Sequence, residues 1–246
     1  MKQSEISAYY HSKETFGTVD GKGIRYVLFL AGCSLGCAFC HNPDSWARGN
    51  KTITIEEVMT DFSQYRHFYE SSGGGITVSG GEPFLQADFV AALFAACHES
   101  NIHTTIDTAG FYQQDLIDKV LENTDHVLFS LKAADVKTHR YLTTADNQKI
   151  LENLAYIAKR KPISLRYVVV PGINDKPEEI RALISLLHKI GGEVKVELLG
   201  YHTMGMYKWQ ALDMEYKLID VKPATKADVQ KVCAQLEAAG IEMQYK

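Results

Sequence analysis

Three cysteines, Cys33, Cys37 and Cys40, stand in a C-x3-C-x2-C spacing with His41-Asn42 directly after them. Disulfides explain them poorly, because one thiol of three is always left over and so short a loop strains any pair. Thiolates at this density point to metal, and soft sulfur ligands select zinc, copper(I) or iron–sulfur clusters. Two readings stay open on the residues alone. A structural zinc wants four protein ligands, and His41 could supply the fourth only from the cramped position beside Cys40. A 4Fe-4S cluster on three cysteines leaves one iron open to a small molecule. Gly32 and Gly36 let the backbone wrap tightly around such a group. The residues favour the cluster, with a noncatalytic zinc-binding scaffold as the remote alternative.

The elements that must position this loop alternate in type. Ile24–Leu30 is a nearly continuous apolar run, as a strand covered on both faces should be, and the cysteine loop leaves its C-terminal end. Further strands are expected at Ile76–Ser79, Thr104–Asp107, Val127–Ser130, Leu165–Val170 and Val194–Leu199. Between them lie helical patterns. One opens at Thr54, where Glu57 completes a capping box, and carries Val58, Phe62, Tyr65 and Tyr69 on one face as far as Ser71. Others run from Ala87 to Glu99, from near Gln113, over Ala134–Tyr141 and over Gln148–Arg160. Pro177 opens a helix, and Thr225 with Asp228 opens the last one, closed by Gly240. Residues 1–23 read as an irregular lead-in, 24–200 as the core, and 201–246 as a C-terminal loop and helix of a single domain. Strand–helix alternation argues for a parallel sheet with right-handed crossovers, and leaves open whether it is a flat sheet or an incomplete barrel.

In either architecture function belongs at the C-terminal ends of the strands. That rim collects the cysteine loop, Gly80-Gly81-Glu82, Asp107-Thr108, Ser130-Leu131-Lys132, Pro171-Gly172 and Tyr201-His202. Each alone is an ordinary turn or cap; together they describe a pocket facing the cluster. His98-Glu99 with His103 is a decoy, since a zinc-hydrolase motif needs its histidines four apart on one helix face. Cys97 and Cys233 fall in phase with apolar helix positions and read as buried small hydrophobes. Arg166, inside a strand, reads as structural. No GxxxxGK[ST] phosphate loop occurs. The net charge of -4 and pI near 6.1 argue against nonspecific nucleic-acid binding. No apolar run approaches the ~20 residues that span a bilayer, and the polar start, Met1 to His11, lacks the apolar stretch of a secretory signal. A cytoplasmic protein is expected, acting as a monomer.

The cysteine triad, the glycine pair with Glu82 and the six-unit layout resemble the radical S-adenosylmethionine superfamily. More closely, the chain resembles the activating enzymes of glycyl radical enzymes, those for pyruvate formate-lyase in particular. The matching segments include Gly17–Gly21, Gly32–Asn42, Tyr65–Phe68, Ser72–Glu82, Asp107-Thr108, Arg166–Gly172 and Tyr201–Trp209. The resemblance implies a partial (β/α)6 barrel with the cofactors at its C-terminal rim. It implies that Cys33, Cys37 and Cys40 hold a 4Fe-4S cluster whose fourth iron is chelated by S-adenosylmethionine. Reductive cleavage then yields a 5'-deoxyadenosyl radical, which takes a hydrogen atom from a backbone glycine of formate acetyltransferase. Phe39 and His41 would lie along the adenine, Gly81 would admit the methionine moiety, and the strand end Ser130-Leu131-Lys132 would bring Lys132 to the carboxylate. His202 would contact the nucleoside. Asp107 would belong to a monovalent cation site, and reduced flavodoxin or ferredoxin would deliver the electron. No side-chain acid or base is required, only placement and exclusion of water.

The chain departs from the family pattern at a few positions. Ser130 stands where an aspartate, the second carboxylate of the cation site, is usual, so the resemblance implies a weakened cation dependence. Thr144 replaces a usual glycine, and Ala109 a usual asparagine. The alternatives are an activase of another glycyl radical enzyme or a radical enzyme acting on a small molecule.

Overall fold

The computed structural model describes residues 6–245, so Met1 to Glu5, the beginning of the polar start, lie outside the described residues. The chain divides into two compact units: the first holds residues up to Ser34 together with Ser45–Leu128, the second Leu35–Asp44 with the chain from Phe129 onward. The strands follow one another in the hydrogen-bonded order β3-β1-β2-β4-β5-β6-β7-β8, with β1 at Ser7–Gly17, β2 at Arg25–Leu30, β3 at Thr52–Thr54, β4 at Gly75–Gly80, β5 at His103–Thr108, β6 at His126–Leu131, β7 at Ile163–Val169 and β8 at Val194–Gly200. The sheet is open and the fold is α/β, of the partial-barrel class. All six strands expected from apolar runs are present.

In the first unit β2 pairs in parallel with β4, and β4 with β5 (Leu28 opposite Val78, Ile76 opposite Thr104). Five of the six β2 residues are buried, the pattern of a strand covered on both faces. At the N-terminal ends of these strands Arg25 is fully buried. Its guanidinium donates to Thr77 Oγ1 (2.9 Å), Ile76 O (2.5 Å), Thr105 Oγ1 (3.0 Å) and His103 O (3.2 Å). Burial lowers its pKa to about 10, and the neutral oxygens that surround it satisfy the donors.

The lead-in is not irregular: Ser7–Gly17 is an eleven-residue strand, antiparallel to both β2 and β3. The helix expected from Thr54 keeps its capping box, but Tyr65 breaks it into α1 (Ile55–Gln64) and α2 (Arg66–Ser72). The reason lies in packing. Phe62 and Tyr69 stack with ring centroids 4.5 Å apart, whereas residues seven apart on a continuous helix are separated by about 10 Å along the axis. Tyr69 also donates its hydroxyl to Thr15 O on β1 (2.8 Å). Helix α3 (Ala87–Glu99) buries Cys97 beside Phe89 and Leu93 as expected. The helix expected near Gln113 is a 3-10 turn followed by the short α4 (Ile117–Leu121).

The second unit carries α5 (Val136–Leu142), α6 (Gln148–Ala158), α7 (Pro177–Ile190), α8 (Met206–Ala211) and α9 (Lys226–Ala238), with β7 and β8 parallel. Helix α8 was not expected. Helix α9 buries Val232 and Leu236; Cys233, a hundred degrees round from Val232, is only half-buried, its sulfur 3.6 Å from the Tyr245 hydroxyl. It is not the core residue that its helical phase suggested. Among the described residues no helix is long and apolar enough to cross a membrane.

The rim ends of β2 and β4 are pressed together. Gly80 has φ +110°, and a Cβ there would lie 2.3 Å from Leu30 O; one at Gly81 would lie 2.1 Å from Gly32 O. Only glycine fits such an approach. Glu82 then turns inward and is buried, accepting from Thr108 Oγ1 (2.7 Å), Ala109 N (3.0 Å) and Phe84 N (3.3 Å). The carboxylate thereby ties the end of β4 to the end of β5. Burial raises its pKa to about 7 against these donors, with Asp107 adding to the rise. A carboxyl raised in the folded state binds its proton more tightly there than in the unfolded chain, so its contribution is intact below the ordinary glutamate value and is lost as pH climbs through the folded one. Unfolding by urea should therefore show wild-type stability falling, relative to Glu82→Gln, by roughly 3 kcal/mol between about pH 4.5 and pH 7; parallel profiles of the two proteins would contradict this.

Candidate metal centre and cofactor site

The cysteine loop begins in the first unit. Gly32, at φ +105°, donates to Ser45 O (2.8 Å), and Cys33 donates to Trp46 O (3.0 Å). These two amide bonds fix the direction in which the half-buried Cys33 thiol leaves the end of β2. Glu82 N donates to Gly32 O (2.8 Å) and Gly81 N to Leu30 O (2.9 Å), so the glycine pair sits against the root of the loop. At the end of β5, Asp107 accepts from Ser79 Oγ (2.9 Å), while Thr108 is buried under Glu82. In this unit the expected site residues Gly81 and Asp107 are thus each placed by a neighbour from an adjacent strand end.

The remainder of the loop belongs to the second unit, where its two limbs are held separately. In the first limb Gly36 has φ +61°, Ala38 N donates to Leu142 O (2.8 Å), and Thr144 N donates to Leu35 O (3.0 Å). The Thr144 hydroxyl reaches the same carbonyl at 3.2 Å, and a Cβ at Gly36 would lie 2.8 Å from the Thr144 methyl. Cys40 N closes a tight turn onto Cys37 O (3.0 Å), which leaves both thiols half-buried. In the second limb Trp209 Nε1 donates to Cys40 O (2.8 Å).

Around these limbs the second unit gathers most of the expected cofactor residues. Phe39 is buried, and Lys132 Nζ lies 5.8 Å from its ring centroid, an aromatic–cation contact. The His41 and His202 rings lie 4.1 Å apart at 31°. Partial burial of its ring, with His202 and Lys132 as neighbours, lowers the pKa of His41. His202 Nδ1 is buried with no hydrogen-bond partner among the described residues, a polar atom that calls for a ligand. Leu131 is in the core and Ser130 half-buried. The carbonyls following Ser130-Leu131 are pinned: Asn174 Nδ2 donates to Lys132 O (3.2 Å), and Asn147 Nδ2 to Ala134 O (2.7 Å).

Other residues singled out by the sequence lie apart from this chemistry. His103 opens β5 at its N-terminal end with Nδ1 3.2 Å from Arg25 Nη1, and His98 lies in the last turn of α3. Arg166 pairs with Glu197 at 3.1 Å, both nearly buried, as expected of a structural strand residue. Thr144, Lys208 and Trp209 touch the loop and carried no periodicity or spacing that would have placed them there.

The donor set fits a cluster. The three thiols sit on a loop bent by two left-handed glycines, and His41 is engaged by its ring with His202. The orphaned His202 Nδ1 and the Lys132 ammonium fit a nucleoside carrying a carboxylate.

Comparison with known proteins agrees. The model of the radical SAM superfamily matches residues 27–202. The chain is 43% identical over 239 residues to pyruvate formate-lyase 1-activating enzyme of Escherichia coli (strain K12), covering 96% of this chain and 97% of that one. It is 40% identical over 223 residues to pyruvate formate-lyase-activating enzyme of Listeria monocytogenes serovar 1/2a, covering 87% and 90%. Its fold is similar to that of a radical SAM methyltransferase from Sphaerobacter thermophilus, with TM-score 0.66 and 18% identity over 93% of this chain and 71% of that one. A glycine-bent loop of three thiols, a buried imidazole nitrogen awaiting a partner and near full-length identity converge: the chain belongs to the radical SAM superfamily and, within it, to the pyruvate formate-lyase activating enzymes.

Proposed function

We propose that this chain installs a glycyl radical on formate acetyltransferase, with Cys33, Cys37 and Cys40 holding a 4Fe-4S cluster and S-adenosylmethionine completing it. The observation that carries the reading is 43% identity to a named activase over nearly the whole length, in a chain that carries the cysteine triad. When bound, the pair supplies one-electron reductive cleavage and, from it, hydrogen-atom abstraction. The chain's own residues bind and orient. The Lys132 ammonium meets the methionine carboxylate, and Gly81, lacking a side chain, admits that moiety close to the backbone. Phe39 and His41 flank the adenine, His202 offers its open nitrogen to the nucleoside, and the Ser130-Leu131 strand end supplies backbone and a hydroxyl. No residue transfers a proton, so rate rests on placement and on keeping water out. The partner is a protein whose glycine backbone must reach this rim; the electron comes from reduced flavodoxin or ferredoxin, and the enzyme works as a cytoplasmic monomer.

The cation site deepens the reading. Asp107 keeps its carboxylate, while Ser130 offers only a neutral oxygen where the family pattern has a second one. Two unit charges ~4 Å apart interact by about 4 kcal/mol at an effective dielectric of 20, so the loss weakens cation binding.

Anaerobic reconstitution should yield a brown protein with four irons that, once reduced with S-adenosylmethionine, raises a glycyl doublet on added formate acetyltransferase in electron paramagnetic resonance. Cys37→Ala should abolish both the cluster signal and the doublet. Zinc uptake in place of iron, or S-adenosylmethionine cleavage without a doublet, would refute the assignment. In potassium titrations the wild type should respond weakly, and Ser130→Asp should lower the half-saturating cation concentration by about tenfold or more; strong activation of the wild type would contradict the role given to Ser130.

A further inference from the structure

The C-terminal arm around α8 is joined to the Cys40–Asp44 limb at three independent points, all in the second unit. Trp209 Nε1 donates to the carbonyl of Cys40 itself (2.8 Å). Lys208 Nζ donates to Asn42 Oδ1 (2.8 Å) and to both Asp44 oxygens (3.1 and 2.9 Å). Gly205 passes so close to His41 that a Cβ would lie 2.6 Å from its Cα. The indole contact is sheltered, Trp209 being 5% exposed, while the Lys208–Asp44 pair lies at the surface, its side chains 19% and 32% exposed. Trp209 is backed in turn by Tyr216, edge-on at 5.4 Å, whose hydroxyl shares a hydrogen bond with that of Tyr201 (2.9 Å).

A loop whose thiolates must keep a fixed spacing needs its backbone held, because side chains on an unrestrained turn lose their ligand geometry to conformational entropy. The first limb is held by Leu142 and Thr144. The second has its own turn and this arm. The indole bond falls on the peptide unit of a ligand residue, and Lys208 adds a part-buried bond to Asn42 and charge-assisted bonds to Asp44.

Resting on the assignment of Cys33, Cys37 and Cys40 as cluster ligands, we propose that Lys208 and Trp209 are positioning residues that clamp the Cys40–Asp44 limb and thereby control how firmly the cluster is retained. Their polar contacts are to the limb itself, at Cys40 O, Asn42 and Asp44. Outer-shell partners of this kind change metal affinity by about 10- to 100-fold when removed.

The test uses the full chain in two arms. In the first, reconstituted wild type, Trp209→Phe, Lys208→Met and Lys208→Arg are exposed anaerobically to an iron chelator. Trp209→Phe keeps the ring against Tyr216 and loses only the donor. It and Lys208→Met should release iron about tenfold faster than wild type, and Lys208→Arg should restore most of the retention. In the second arm, hydrogen–deuterium exchange on the cluster-free proteins follows the Cys40 amide, which is bonded to Cys37 O. Exchange there should accelerate in Trp209→Phe, in Lys208→Met and in Gly205→Ala, which keeps every donor but parts the backbones, while β2 and β4 stay protected. Equal iron release and equal exchange across the variants would overturn the clamp. If the wild type took up no cluster, the ligand assignment would fail while the exchange arm still decided whether the arm holds the limb.

Discussion

Three thiolates can share one cluster only if the peptide that carries them keeps a set geometry, and the bonds around the cysteine loop meet that constraint. The loop between β2 and the 3-10 turn at Pro43–Ser45 is short of regular structure, yet its amides and carbonyls are consumed by outside partners: Ser45 and Trp46 at its root, Leu142 and Thr144 on one limb, Trp209 on the other. Gly32 and Gly36 supply the left-handed turns that let those bonds form without side chains intervening. The site is therefore built mainly from backbone geometry, which suits a reaction in which protein groups place reactants and transfer no protons.

The same economy governs the charges around the rim. Glu82 is the member of the glycine-rich turn with a titratable side chain, and it is buried and raised to about 7, where it joins two strand ends. At the opposite ends of the strands Arg25 does comparable work with neutral oxygens as partners. Neither group is chemistry in reserve; both are cross-links between strands that a hydrophobic pair of the same volume could not make directional. Lys132 and His202, the residues proposed to meet the ligand, lie in the second unit, with a ring partner each.

Much of this was legible in the linear chain. The six parallel strands announced themselves as short apolar runs bounded by glycine and polar turns, because strands covered on both faces admit few other residues. The capping boxes at Thr54/Glu57 and Thr225/Asp228 formed as read, since both partners are local. What stayed hidden depended on distant contacts. The first strand, Ser7–Gly17, alternates poorly because much of it is exposed; its pairing is set by β2. Tyr65 looked like a helix interior, and only the stacking of Phe62 on Tyr69 shows why the helix breaks there. Lys208 and Trp209 lie more than 160 positions from the limb they hold, a juxtaposition that no local period encodes.

The central claim is that this chain, reduced and supplied with S-adenosylmethionine, removes a hydrogen atom from the backbone of a partner's glycine. The most direct measurement uses formate acetyltransferase labelled with deuterium at glycine Cα, with mass analysis of the 5'-deoxyadenosine released in a single turnover. The account predicts one deuterium transferred into each 5'-deoxyadenosine, in step with the loss of label from one glycine of the partner. Unlabelled 5'-deoxyadenosine formed at an undiminished rate would contradict it.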